Sequence, residues 1–245
     1  VVRQFAMILM NWTYKMNNLE KEYTDFYLKG EPLKSYTNEY VVRVFLGTYP
    51  NLSLDKNYLG KKILDVGMGD GRNLRFMVEK GFDAYGIEIS EEICSHVHRS
   101  FQNAGIKANI KVGKNDSIPF DDSFFDYLVS WNSSYYMGNY NNYYSYKKNV
   151  EEFYRVIAPK GILVMSIPTK SNFIFENSVE IEPEYKKIVN DPYKIRNGQI
   201  FKCFSDSNSI IKEFQDYFEN FRFAELNDNC FGQKNNYIIM VCNKK

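Results

Sequence analysis

Residues Lys61 to Asn73 read KKILDVGMGDGRN. A short apolar run from Ile63 to Val66, interrupted by a carboxylate at Asp65, stops at Gly67, and glycine recurs at Gly69 and Gly71 before Arg72 and Asn73. A strand that ends in so bare a turn and opens into a helix points backbone N–H groups outward at an electropositive helix end, which makes a seat for a polar ligand. Spacing disfavours two phosphate-binding patterns. The dinucleotide fingerprint GxGxxG needs its third glycine where Arg72 stands, and in GxxxxGK[ST] the second glycine and the lysine are replaced by Arg72 and Asn73.

Outward from this stretch the chain alternates short β-rich runs with amphipathic segments, the pattern of βαβ units around a mostly parallel sheet. Strands are expected at Lys62–Val66, Asp83–Ile89, Ala108–Val112, Asp126–Trp131 and Gly161–Ile167, nearly continuous apolar runs suited to burial on both faces. Helices are expected at Asn73–Lys80, closed by Gly81, and at Ser90–Gln102, where Glu91 and Glu92 suit the first turn. NVEEFYRVIAPKG reads as a helix ended by Pro159. A further helix is expected at Asp206–Phe218. FRFAELND and NYIIMVCNKK then form an antiparallel final pair joined by a Gly-containing loop of moderate length. Residues 169–205 show little periodicity and are too long for a bare connection, which predicts an insertion or lid. Residues 1–60 read as a helical, aromatic extension or cap, with LEKEYTDFY and NEYVVRVFL its clearest stretches.

The pattern D-x-G-x-G-x-G, formed by Asp65, Gly67, Gly69 and Gly71, resembles motif I of the class I S-adenosylmethionine-dependent methyltransferases. In GIEIS, Glu88 stands about twenty residues beyond the loop, at a strand end where a carboxylate suits both hydroxyls of a ribose. VGKNDSIPFDDSFFDYLVS resembles the family's adenine-binding turn and fourth strand, although Lys114 stands where the family usually has an acid. EEFYRVIAPKGILVMS resembles its following helix and fifth strand, with Arg155, Pro159 and Gly161 expected to serve packing. These motifs cover Lys61 to Ile167 and imply a Rossmann-like α/β domain over 61–245, with a mostly parallel seven-stranded sheet and a C-terminal antiparallel hairpin.

The resemblance implies S-adenosylmethionine as cofactor and S-adenosylhomocysteine as product. It places Asp65 near the ligand's ammonium, Gly67, Met68 and Gly69 along its methionine portion, and Arg72 and Asn73 near its carboxylate. Glu88 and Ile89 would hold the ribose, with Asn115, Asp116 and Ser117 at the adenine edge, Asp116 replacing the missing acid, and Ser130 at the end of the fourth strand. A side chain at Gly67 would stand in the ligand's place.

Ligands of open α/β sheets lie beyond the carboxyl ends of the strands, so SWNSSYYMGNYNNYYSY should face the reacting centre. Trp131, Tyr135 and Tyr136 would exclude water there, and Asn132 and Ser133 would orient a methyl acceptor. Methyl transfer mainly needs a close, dry, aligned nucleophile, and an amine acceptor needs no base; no base is identified. His96 and His98 lie two apart on a helix remote from that loop and read as structural; Glu151, Tyr135 and Tyr136 remain possible assistants. The stretch DPYKIRNGQIFKCFS resembles the tail of bacterial small-molecule methyltransferases, including ones associated with surface polysaccharides, which makes Arg196, Gly198 and Gln199 acceptor-lid candidates.

Composition narrows the partners. With 31 basic and 30 acidic residues, no broad positive field favours nucleic acid, and no [DN]PP[YF] marks DNA-base methylation. Four cysteines without CxxC spacing and two histidines suggest neither zinc nor a disulfide framework and suit a reducing cytoplasm; no metal is expected. The apolar FAMILM run, Phe5 to Met10, is too short to span a membrane. The expectation is a cytoplasmic enzyme methylating O or N of a small metabolite, such as a sugar or glycan precursor. The alternatives are an RNA or protein methyltransferase, or a non-catalytic cofactor-binding protein. Oligomeric state is not legible.

Overall fold

The computed structural model describes residues 20–28, 36–133, 135–136 and 146–245. The FAMILM run and most of the Tyr- and Asn-rich segment after Tyr136 lie outside them. Helices α1 (residues 20–28) and α2 (Glu39–Leu46) lead to β1 (Lys62–Val66). There follow α3 (Arg72–Glu79), β2 (Asp83–Glu88), α4 (Glu91–Asn103), β3 (Asn109–Val112), β4 (Phe125–Ser130), α5 (Lys147–Val156) and β5 (Ile157–Pro168). Next come α6 (Phe173–Glu176), β6 (Ser178–Glu182), β7 (Tyr185–Ile188), β8 (Ile200–Lys202), α7 (Ser207–Phe214), β9 (Phe218–Cys230) and β10 (Gln233–Lys244).

Seven strands form one sheet in the order β3-β2-β1-β4-β5-β10-β9. β1 to β5 run parallel, while β10 is antiparallel to both β5 and β9. The strands read as continuous apolar runs because alternate side chains enter two different cores. Ile63, Tyr127, Val129 and Val164 join α2, α3 and α4 on one face. Leu64, Val66, Leu128, Leu163 and Met165 meet α5 and α7 on the other. Helix starts follow local chemistry: the Ser90 side chain accepts from Ile93 N at the head of α4, and Asp206 and Ser209 form a reciprocal capping box on α7.

Three expectations change. α5 ends at Val156 rather than near Pro159, because Ile157 pairs with Phe125 and opens β5. Pro159 and the left-handed Lys160 (φ 63°) fall where the register to β4 shifts, before β5 pairs with β10, so the missing proline N–H breaks no ladder there. Between β9 and β10 there is only a two-residue turn: Cys230 pairs with Gln233 across Phe231 and Gly232, both at positive φ. α7 likewise stops at Phe214, and Phe218 already belongs to β9.

Residues 169–205 are not irregular. They hold α6 and a separate antiparallel sheet in the order β6-β7-β8. Its strands escape a periodicity argument because β6 leaves its apolar residues exposed, Val179 at 53% and Ile181 at 38%. The small sheet joins the segment after β4 through a bridge between Tyr136 and Phe201 and a bond from Lys202 N to the Tyr135 carbonyl. It therefore stands at the carboxyl ends of the parallel strands.

Candidate active site

β1 has β2 on one side and β4 on the other, so the chain leaves it toward opposite halves of the sheet and a crevice opens at its carboxyl end. The glycine loop starts there. Gly67 N and Met68 N both donate to the Ile87 carbonyl at 3.0 Å, binding the loop to β2. Gly67 (φ 70°) and Gly69 (φ 56°) adopt left-handed backbone that other residues adopt only with strain. A Cβ at Gly67 would stand 2.6 Å from the Ser133 Cβ. It would thus strike the segment after β4.

Ser133 is buried for a related reason. Its hydroxyl donates to the Val66 carbonyl at 2.5 Å and lies 2.9 Å from the Ser130 hydroxyl, which draws the end of β4 onto the end of β1. Ser133 thus shapes the crevice floor, whereas Asn132 is tied to β5: its backbone N–H donates to Ser166 Oγ at 2.8 Å and its Oδ1 accepts from that hydroxyl at 3.4 Å. Trp131 packs into the core shared with α2, α3 and α4. The Asn115 amide donates to the Ser133 carbonyl at 2.8 Å and so holds the same segment, within a tight turn closed by mutual Lys114 and Ser117 backbone bonds that carries Asp116.

Asp65 is the most unusual group of the site. It is 1% exposed, and its Oδ2 has no hydrogen-bond partner. Burial pushes its pKa up to about 7; Arg72 opposes that shift, and Glu88 and Asp70 add to it. Glu88 is also buried. Its Oε2 accepts from Gly69 N at 3.0 Å and its Oε1 from Ile89 N at 2.7 Å. Burial raises its pKa as well, against the pull of these two N–H groups. Each oxygen keeps a further lone pair for a ligand hydroxyl. Arg72 pairs loosely with Asp70 at 3.8 Å, and its carbonyl accepts from Thr37 Oγ1. Asn73 Oδ1 accepts from Asn38 N, so that side chain anchors the cap of α2.

The sequence reading missed what α1 contributes. Tyr27 lies over the loop, its hydroxyl 2.6 Å from where a Gly69 Cβ would be. Burial, then the nearby Glu88 charge, raises that hydroxyl's pKa and keeps it protonated. Thr24 Oγ1 meets Ser90 Oγ at 2.7 Å, and the Tyr23 ring meets Tyr136 edge-on at 5.6 Å. The available signal was the i, i+4 spacing of Tyr23 and Tyr27, which places both on one helix face.

Tyr135, Tyr136 and Arg196 do come together. Burial raises the pKa of both tyrosines, and the Arg196 guanidinium, which lies over Phe173 of the same cluster, opposes that shift in each. Gly198 N bonds the Ile188 carbonyl and Gln199 N the Arg196 carbonyl, so these residues shape the turn that presents Arg196. Of the candidate assistants only Glu151 is elsewhere: it pairs with Lys147 and accepts from the Tyr217 hydroxyl. His96 and His98, read as structural, are exposed on α4. Among the described residues no group of three His, Cys, Asp or Glu side chains is placed to hold a metal, and no helix is long and apolar enough to cross a membrane.

The parallel sheet with its antiparallel final pair, the glycine loop at the switch point and the acid ending β2 together define a class: a Rossmann-like α/β domain with the fold of S-adenosylmethionine-dependent methyltransferases. Residues 63–161 match the family described as "Methyltransferase domain". Over 106 residues the chain is 27% identical to the Bacillus subtilis (strain 168) protein called "Putative methyltransferase YqeM", a match spanning 43% of this chain and 42% of that one. Its fold is similar to that of the PH0226 protein from Pyrococcus horikoshii OT3, with a TM-score of 0.60 and 17% identity over 84% of this chain and 87% of that one. A SAM-dependent methyltransferase of Methanosarcina mazei has a TM-score of 0.56 and 21% identity over 79% of this chain and 99% of its own. The unpartnered Asp65 oxygen and the spare lone pairs of Glu88 fit a ligand that carries both an ammonium and a vicinal diol, as S-adenosylmethionine does.

Proposed function

We propose that this protein transfers a methyl group from S-adenosylmethionine to an oxygen or nitrogen of a small molecule, a sugar or glycan precursor being the narrower reading. The observation that carries it is the buried, unpartnered Oδ2 of Asp65 beside a loop of left-handed glycines. An unsatisfied buried carboxylate destabilises the fold unless something pairs with it, and an ammonium suits it better than water does. The cofactor, when bound, supplies a methyl group on a sulfonium. The chain's part is to orient it: Asp65 toward the ammonium, Glu88 toward the ribose, and the loop backbone along the amino-acid portion.

On the acceptor side the residues hold and dry rather than abstract a proton. Tyr135 and Tyr136 keep their protons, and the imidazoles of His96 and His98 face away, so the arrangement suits an acceptor that attacks without a strong base, such as a neutral amine, or a hydroxyl held in good alignment. The small sheet β6–β8 supports a compact acceptor by standing over the strand ends.

The test is calorimetry with S-adenosylhomocysteine, followed by a screen of acceptors with methyl-labelled cofactor. Glu88→Ala should weaken binding by about 1–3 kcal/mol, the range for losing a charged hydrogen-bond partner. Unchanged affinity would take Glu88 out of the site, and no binding to the wild type would end the proposal.

A further inference from the structure

Three buried polar atoms around the small sheet lack any hydrogen-bond partner: the Tyr23 hydroxyl, the Tyr136 hydroxyl and Nε of Arg196. They come from α1, from the segment after β4 and from the turn between β7 and β8, yet they share one neighbourhood. The Tyr23 and Tyr136 rings are 5.6 Å apart, and Arg196 lies over Phe173, which packs in one cluster with Tyr135 and Tyr136.

The guanidinium is held firmly. Its NH1 donates to both oxygens of Asp191, at 3.0 and 3.2 Å, and its carbon lies 5.8 Å from the ring centres of both Phe173 and Tyr193. Asp191 is itself braced, its side chain fully buried and its Oδ2 accepting from Ile195 N and Arg196 N. Packing and an ion pair thus fix an arginine whose Nε–H finds no acceptor, close to phenol groups whose O–H groups can still donate. Preorganisation of this kind favours a ligand because little side-chain freedom remains to be lost on binding.

The chemistry of the missing partner follows from these groups. An Arg Nε–H can only donate, and both phenols can donate, so the shared need is for an acceptor oxygen. Charge narrows it further. Asp191 already balances Arg196, and Glu22 of α1 lies near enough to Asp191 for their like charges to oppose each other. No surplus positive charge is left for an anion. The walls are aromatic: Tyr135, Tyr136 and Phe201 have ring centres 4.7 to 4.9 Å apart. We infer that Arg196, Tyr136 and Tyr23 form the acceptor-recognition subsite, and that it takes an uncharged oxygen of a ring-shaped small molecule in preference to a carboxylate or a phosphate.

This rests on the methyltransferase reading only for the word acceptor. Two neutral sources share the chemistry, a sugar hydroxyl and a ring carbonyl, and the experiment separates them. Protein loaded with S-adenosylhomocysteine is titrated by ligand-observed NMR with methyl glucopyranoside and 2-quinolone, and with their anionic counterparts glucose 6-phosphate and quinoline-2-carboxylate. At least one neutral probe is expected to bind about tenfold more tightly than its anionic partner. Affinity for the neutral probe should fall about tenfold in Arg196→Met, which also leaves Asp191 unbalanced and so rejects the anionic probes further, and fall less in Tyr136→Phe, which keeps the ring, while the affinity for S-adenosylhomocysteine stays the same in both. Tighter binding of the anionic probes, binding unaffected by Tyr136→Phe, or no binding of either neutral probe to the wild type would overturn the subsite. Should S-adenosylhomocysteine itself not bind, the proposed function fails separately, and the same titrations on ligand-free protein still decide the subsite.

Discussion

Asp65 concentrates the conflict between stability and binding. Its ordinary pKa of 3.8 rises to about 7 in the fold, chiefly through burial. A carboxyl whose folded pKa is raised supports the fold fully below its unfolded value, and that support is lost as pH climbs through the folded one. The ligand-free protein should therefore lose stability between about pH 4 and 7, by up to roughly 4 kcal/mol from this group. Asp65→Asn should flatten that decline in urea unfolding measured across the pH range, and should leave the ligand-free protein more stable near neutrality. An equally steep decline in the variant would show that other groups cause it. Binding has the opposite sign: the charged carboxylate suits an ammonium, so affinity for S-adenosylhomocysteine should strengthen as pH passes 7 in the wild type and stay level in Asp65→Asn.

Single residues also show where sequence reading stops. Asp65, Gly67 and Glu88 stand out by spacing because the loop and the two strand ends are local features. What each touches does not stand out. Gly67 is constrained by Ser133, and Asn73 by Asn38, contacts that no count along the chain announces.

Among the elements, α2 depends on packing more than on its own propensity. At eight residues it is too short to be stable alone, and it is held by Phe45, wholly buried among Tyr58, Phe76, Phe82 and Tyr127. The Tyr58 hydroxyl also donates to the Phe45 carbonyl at 2.6 Å. Phe45→Ala should cost about 3–5 kcal/mol in denaturant unfolding, the range for emptying an aromatic core site. A loss below about 1 kcal/mol would mean the site collapses around the gap. The helical character of NEYVVRVFL was visible in its apolar spacing. The role of α1 was not, since Tyr23 and Tyr27 act on Tyr136 and Gly69, over a hundred and some forty positions away respectively.

At the scale of the molecule, Arg155 joins pieces the motifs treat separately. It donates to the Ile118 and Phe120 carbonyls at 2.8 Å each, and it pairs with Glu152 and Asp122, tying α5 to the connection between β3 and β4. Glu152 in turn accepts from Ile118 N. Expected as a packing residue, Arg155 is a polar clamp. Arg155→Met should destabilise by about 2–4 kcal/mol, because it leaves two carbonyls and a partly buried carboxylate without their donor. A change within 0.5 kcal/mol, by thermal or urea unfolding, would show that solvent replaces the clamp at no cost.

The amino-acid order alone determined the parallel α/β core, the ligand loop and the acid one strand over, because each is written in contiguous residues whose burial period, turn chemistry or capping is local. Only tertiary structure decided that α5 gives way early to β5, that residues 178–202 form a sheet, and that α1 covers the loop. It alone brought Tyr23, Tyr136 and Arg196 into one cluster. Those outcomes depend on which distant partner satisfies a backbone or side-chain group, and a linear pattern carries no record of that choice.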